Sequence, residues 1–285
     1  MTFTLSFILA GCSSYNQGPP SDVSAANAET PDSTSPVDAP TPTTEAPPPD
    51  RRVDDGLTAP IRQAILAPDR SPADRELDGQ RHPGQMLTFF GIEPSMRVAE
   101  LAAGGGYTAE LLARSVGDKG QVFGQNSPFI LNRFAEAPWS ERLQKPVMHN
   151  VVRVDAEFET PLPPAAINLD AVLIVLFYHD TVWFKTDRAA MNRAIYTALK
   201  PGGVYGVIDH SARDGDGVTQ AETLHRIEET VVIEEVKAAG FELAATADFL
   251  RNPADQRDWN ASPRKAGEQR GTSDRFVLKF VKPQR

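Results

Sequence analysis

Three consecutive glycines, Gly104, Gly105 and Gly106, separate a short run of strand character, Arg97–Leu101, from a helical stretch, Tyr107–Val116. No other feature constrains the fold as tightly. Glycine lets the backbone turn sharply and lets a ligand come close, and the first turn of the following helix carries N–H groups without partners inside the helix. Strand, glycine turn and helix form the opening unit of an open α/β sheet, which binds ligands beyond the carboxyl ends of its strands. Such a turn also occurs as plain structure, so the loop alone does not establish a ligand. A dinucleotide fingerprint is excluded. Its outer glycines would fall on Ala102 and Tyr107.

Further along, short apolar runs alternate with helical patterns, as expected for a parallel sheet with crossover helices. Strands are predicted at 121–124, 151–154, 171–177, 204–208, 241–247 and 276–281. The run 171–177 is apolar throughout, which suits a central strand covered on both faces. Residues 187–200 read as a helix, with Met191, Ile195 and Leu199 at i, i+4 and i+8 and Pro201-Gly202-Gly203 ending it. A helical region over 219–239 opens on a capping-box pattern, Thr219-x-x-Glu222, and closes at Gly240. Residues 61–90 read as interrupted helix, able to cover an edge of the core.

The chain's start differs in kind. Residues 18–50 contain nine of the 24 prolines, six acids and no lysine or arginine. Such a stretch buries too little apolar surface to offset its ordering entropy, so 12–60 read as a disordered acidic linker rich in Pro, Ser, Thr and Ala. The folded domain is expected over 61–285. Residues 51–285 hold all 29 basic residues and all but six of the 38 acids, a slight acidic excess that argues against nucleic acid as a partner. Cys12 is the single cysteine, which excludes an intramolecular disulfide and a cysteine-based metal cluster. It follows the apolar run 3–10 in Leu9-Ala10-Gly11-Cys12, a sequence that resembles a bacterial lipobox. That resemblance implies a signal segment over 1–11, a lipid on Cys12, and a membrane-anchored protein of the cell envelope facing the periplasm. A cytoplasmic protein is expected if the leader is not a signal.

VAELAAGGGYTAELLA (98–113) is similar to the first motif of class I S-adenosylmethionine-dependent methyltransferases, an acid followed by a glycine loop after strand one. LKPGG (199–203) resembles the turn before strand five of that family, and Val154-Asp155-Ala156 its third-strand motif. GGGYTAELLA, the FYHD run, LKPGG-VYGVIDH and TSDRFVLKF are similar to an uncharacterised group of predicted methyltransferases. The resemblance covers roughly 61–285. It implies a Rossmann-like, doubly wound seven-stranded α/β sheet, mostly parallel, with one antiparallel strand near the C-terminus. It also implies S-adenosylmethionine as cofactor. Glu100 would sit near the methionyl amino group, and Ala102, Gly104, Gly105, Gly106 and Tyr107 near the amino-acid and ribose portions. Asp155 and Ala156 would approach the adenine. Two departures stand out. Ala102 replaces the first glycine, and Gln125-Asn126 stand where an acid normally holds both ribose hydroxyls. Gln125 or Asn126 could bond the ribose without charge assistance.

Candidate chemistry lies after strands four and five, in Tyr178-His179-Asp180 and Asp209-His210. Either histidine could serve as the base that methyl transfer to a hydroxyl or amine requires, oriented by Tyr178 or Asp209. Both could equally be strand-end residues bonding the backbone. With His225 these residues also form a set of imidazole and carboxylate groups, but no tight ligand spacing accompanies it and no metal is expected. Asp274-Arg275 reads as an ion pair shaping the sheet end. Trp139, Trp183 and Trp259 could wall a substrate or simply pack. The activity implied is methyl transfer to a small molecule. The alternative is a non-catalytic envelope binding protein that retains the fold, favoured by the missing ribose acid and by the scarcity of the cofactor outside the cytoplasm.

Overall fold

A computed structural model describes residues 56–284. Calls on the signal segment, on Cys12 and on most of the linker lie outside the described residues. Three helices lead in: α1 (Ala59–Leu66), α2 (Pro72–Arg81) and α3 (Pro83–Phe90). The first begins slightly ahead of residue 61, because Pro60 suits the opening turn of a helix. Then follow β1 (Arg97–Leu101), α4 (Tyr107–Val116) and β2 (Gln121–Asn126). A continuous helical stretch comes next, from α5 (Pro128–Ile130) through a π-helical turn at Leu131–Ala135 into α6 (Glu136–Leu143). The chain continues with β3 (Val151–Asp155), β4 (Leu169–Val175), α7 (Tyr178–Trp183), α8 (Arg188–Ala198) and β5 (Leu199–His210). It closes with α9 (Ala221–Leu224), α10 (Glu229–Ala238), β6 (Glu242–Ala247) and β7 (Arg275–Val281).

The seven strands form one sheet in the order β3-β2-β1-β4-β5-β7-β6. Neighbours from β3 to β5 are parallel, and β7 alone runs against both its partners. This is the doubly wound, mostly parallel sheet expected from the element order. Its middle follows from composition: Leu169, Ala171, Val172, Leu173 and Ile174 of β4 are all buried, as a strand covered on both faces requires. At the start of α8 the Asp187 side chain accepts from the Ala190 N–H, capping the helix. Carboxyl ends of β1, β2, β4 and β5 lie on one edge, where the glycine loop, His179 and His210 sit. Among the described residues no helix is long and apolar enough to cross a membrane.

Two local expectations need correction. Residues 219–239 are not one helix, and the capping box does not form. The Thr219 hydroxyl donates to the Asp216 carbonyl, and the helix breaks at His225, whose φ is 51°. Residues 225–228 instead run beside the end of β5, where Ile227 exchanges backbone bonds with His210 and Ala212. Burial of Arg226 and Ile227 against that edge overrides the local helical pattern. In addition, β4 spans Leu169–Val175 rather than 171–177, and Tyr178-His179-Asp180 open α7.

Candidate active site

At the end of β1 the loop holds Gly104 at φ 55° and Gly106 at φ 82°, conformations that side chains adopt only with strain. Its outer surface at Gly104 is open, since a Cβ there would meet nothing nearer than the Ala102 carbonyl at 4.0 Å. Gly105 N–H has no acceptor among the described residues. From below, the loop is tightly supported. A Cβ at Gly106 would sit 2.4 Å from the buried Trp139 ring, and Pro138 lies against Gly105. The Arg142 guanidinium donates to the Gly105 carbonyl at 2.5 Å.

Glu100 lies under this loop, 4% exposed. Burial pushes its carboxyl up to about 8, although bonds from Thr108 and the Ala109 N–H and the nearby charge of Arg81 favour ionisation. Its Oε2 is buried without a hydrogen-bond partner, the open position a donor on a ligand would fill. Asn126, in contrast, is engaged by the loop itself. Its amide accepts from the Gly104 N–H at 2.8 Å and donates to the Gly104 carbonyl at 3.1 Å, so it fastens the loop to β2. Gln125 is also fully buried, accepting from the Ala102 N–H and donating to the Ala156 carbonyl. The ribose contact expected of Asn126 is corrected: the amide is fully buried and turned onto the Gly104 backbone. Ala156 belongs to the same fastening. Asp155 is half-exposed and ion-paired to Arg153, which also holds Glu136 and Ser140. The Tyr107 hydroxyl donates to Asp78, with the Arg81 guanidinium 4.7 Å above the ring, so Tyr107 anchors α2.

The second group of residues sits beyond β4 and β5. Asp209 is fully buried at the end of β5. Its Oδ2 accepts from the His179 backbone N–H at 2.7 Å, and its Oδ1 from the His179 ring Nδ1 at 2.7 Å and the His210 N–H at 2.8 Å. Burial disfavours a charged His179 ring, but Asp209 and Asp180 outweigh that and raise it to about 10. Held protonated in this way, His179 is not a ready base. His210 is pushed the other way, chiefly by burial and by the charge of His179, and its Nδ1 lies 2.7 Å from the Ser273 hydroxyl. Tyr178 is corrected from a catalytic to a packing residue. Its hydroxyl is buried between Glu235 and Asn192, tying α7 to α8 and α10. Asp180 and His225, outside the expected catalytic set, join His179; nothing in their spacing showed that a break after α9 would bring residue 225 to α7.

Around these groups the long segment after β6 is held by ion pairs that sequence reasoning missed. Arg226 is fully buried against Asp255 and stacks 4.7 Å from the Trp259 ring, which makes Trp259 a packing residue. Asp274 and Arg275 do not pair with each other. Asp274 accepts from the Asn252 N–H and pairs with Arg257, and Arg275 donates to the carbonyls of Gln80 and Gly271. Trp183 is 40% exposed and packs with Phe129 and Phe184, the kind of surface that can wall a substrate. Cavities of about 140 Å³, among residues 252–272, and about 500 Å³, between α1 and α4, lie away from the glycine loop.

No family model and no curated protein matches the chain in sequence. Among solved structures, a putative sarcosine dimethylglycine methyltransferase from Galdieria sulphuraria superposes with a TM-score of 0.53 at 16% identity, covering 80% of this chain and 91% of that one. An S-adenosylmethionine-dependent methyltransferase from Aquifex aeolicus gives 0.52 at 17%, covering 78% and 96%. The chain has the class I methyltransferase fold. The 4+2 cyclase SpnF shares it too, with a TM-score of 0.51 at 18% identity over 74% of this chain and 82% of that one. The methyltransferase fold therefore positions a site without fixing its reaction.

Proposed function

We propose that this chain is an enzyme that transfers a methyl group from S-adenosylmethionine to a small-molecule acceptor. The observation that carries the reading is the orphaned Glu100 Oε2 at the end of β1, followed by a glycine loop that is open at Gly104, in a methyltransferase fold. When bound, the cofactor supplies an electrophilic methyl group on a sulfonium. Glu100 would accept a hydrogen bond from its amino group, and the backbone at Gly104 and Gly105 would line its amino-acid portion. On the same edge, His210 is the imidazole available to hold a proton from the acceptor, with Ser273 orienting the ring. Phe129 and Trp183 offer an apolar wall.

The rival reading, a binding protein that keeps the fold without catalysis, is favoured by Asn126, whose fully buried amide is turned onto the Gly104 backbone. Calorimetric titration of the full chain with S-adenosylmethionine separates the two. Binding near the micromolar range, lost in Gly104→Asp, is expected for the enzyme; no heat at millimolar cofactor leaves only the scaffold. The envelope location proposed from Leu9-Ala10-Gly11-Cys12 is checked by fatty-acid labelling in cells. Label on the wild type and none on Cys12→Ser is expected. An unlabelled wild type would refute the lipid anchor.

A further inference from the structure

We infer that His179, Asp180 and His225 form a binding site for a divalent first-row transition ion. The three atoms that would coordinate it are His179 Nε2, Asp180 Oδ1 and His225 Nδ1. They stand 3.2 Å (His179 to His225), 3.2 Å (His179 to Asp180) and 3.1 Å (His225 to Asp180) apart. Ligand atoms about 2.1 Å from an ion are separated by about 3.0 Å at right angles and about 3.4 Å at the tetrahedral angle. All three edges of the triangle lie between those limits. An ion about 2.1 Å from each corner would stand about 1 Å off their plane, with its remaining positions open. Two imidazoles and one carboxylate on one face is a donor set for iron, zinc or a related ion rather than for calcium or magnesium, which take oxygen ligands.

Two further observations point the same way. Asp180 Oδ1 is buried and meets both imidazoles as ion pairs at 3.1 and 3.2 Å, with a well-aligned hydrogen bond to neither. A buried carboxylate oxygen so loosely bonded gains from a cation placed closer, and an ion at the centre of the triangle would supply it. His179 also carries the support that metal-binding histidines require: its other ring nitrogen bonds the fully buried Asp209. Such a partner fixes the ring's orientation and strengthens it as a ligand, and a bound ion would displace the proton that Asp209 and Asp180 otherwise keep on the ring. The fold supplies the rest. His179 and Asp180 open α7, and His225 is presented by the left-handed break after α9, where the neighbouring Arg226 is locked against Asp255. His225 and Asp180 retain 26% and 18% side-chain exposure, so the open side faces solvent or an acceptor rather than the core.

The site stands independently of S-adenosylmethionine and is tested without it. Full-length chain is stripped with a chelator, dialysed and titrated with Zn²⁺ by calorimetry. One ion per chain is expected, with affinity at least about tenfold weaker in His225→Ala and in Asp180→Asn, and about tenfold weaker in the supporting variant Asp209→Asn. His149→Ala, an exposed histidine outside the cluster, should bind as the wild type does. In thermal melts Zn²⁺ should raise the wild-type midpoint and leave that of His225→Ala unchanged. A wild-type chain that takes up no ion in large excess, or an affinity unchanged in both His225→Ala and Asp180→Asn, overturns the site and leaves a hydrogen-bonded ion network. The wild-type titration decides the matter even if a variant fails to fold.

Discussion

Glu100 shows how much of a residue's chemistry its surroundings set. Its carboxyl, ordinarily near 4.5, is held at about 8, with burial the largest cause. The folded state thus keeps this proton more tightly than the unfolded chain does. Its contribution to stability is complete below pH 4.5 and lost as pH rises through 8. Glu100→Gln, which cannot ionise, should remove that loss. In urea denaturation from about pH 5 to pH 9, wild type should fall relative to the variant by up to ~1.4 kcal/mol per pH unit. Parallel stability curves would show an ionised carboxylate throughout and remove Glu100 as a buried neutral acid. At this scale the sequence was a partial guide. It marked Glu100, His179, Asp209 and His210 as chemical candidates, because acids and histidines at strand ends are legible in one dimension. It could not show that the Asn126 amide turns back onto Gly104, since a side chain's hydrogen-bond partner is chosen by packing.

At the scale of elements, the glycine loop and α6 behave as one unit. Trp139 fills the space that Gly106 and Gly124 leave empty, with approaches of 2.4 Å and 2.7 Å to a Cβ built at those positions. In sequence Gly106 read as part of a ligand loop and Gly124 as the end of a strand, yet each makes room for the same indole. Gly106→Ala combines a strained φ of 82° with that clash and should cost about 2–3 kcal/mol. The cost should shrink in a Trp139→Leu background, where the obstructing ring is gone. Equal losses in both backgrounds, measured by denaturant midpoint, would show that the backbone conformation alone makes the glycine necessary. The strands and the helices α4 and α8 followed from periodicity, because their apolar faces repeat at the helix or strand spacing. The split after α9 did not, since Arg226 is excluded from a helix by its buried partner Asp255 rather than by any local signal.

Across the whole molecule, buried ion pairs hold the segment between β6 and β7 to the carboxyl edge of the sheet. Arg226 and Asp255 are both almost fully buried, 0% and 1% exposed at their side chains. Arg226→Met should destabilise the fold by about 3–5 kcal/mol, because Asp255 is left as an uncompensated buried charge, and adding Asp255→Asn should recover much of the loss. If chemical denaturation shows a loss under about 1 kcal/mol, the pair is not what secures this segment. Much of the architecture was legible in the sequence: the strand positions, the apolar central β4 and the glycine turn follow from hydrophobic spacing and backbone freedom, which are local properties, while the antiparallel end was implied by the resemblance of the motifs to a known family. What the tertiary structure alone decided is which polar groups meet. His225 reaches His179 and Asp180 across some 45 residues of chain, and Asn126 turns inward onto the loop, through contacts between distant segments whose distances no local pattern encodes.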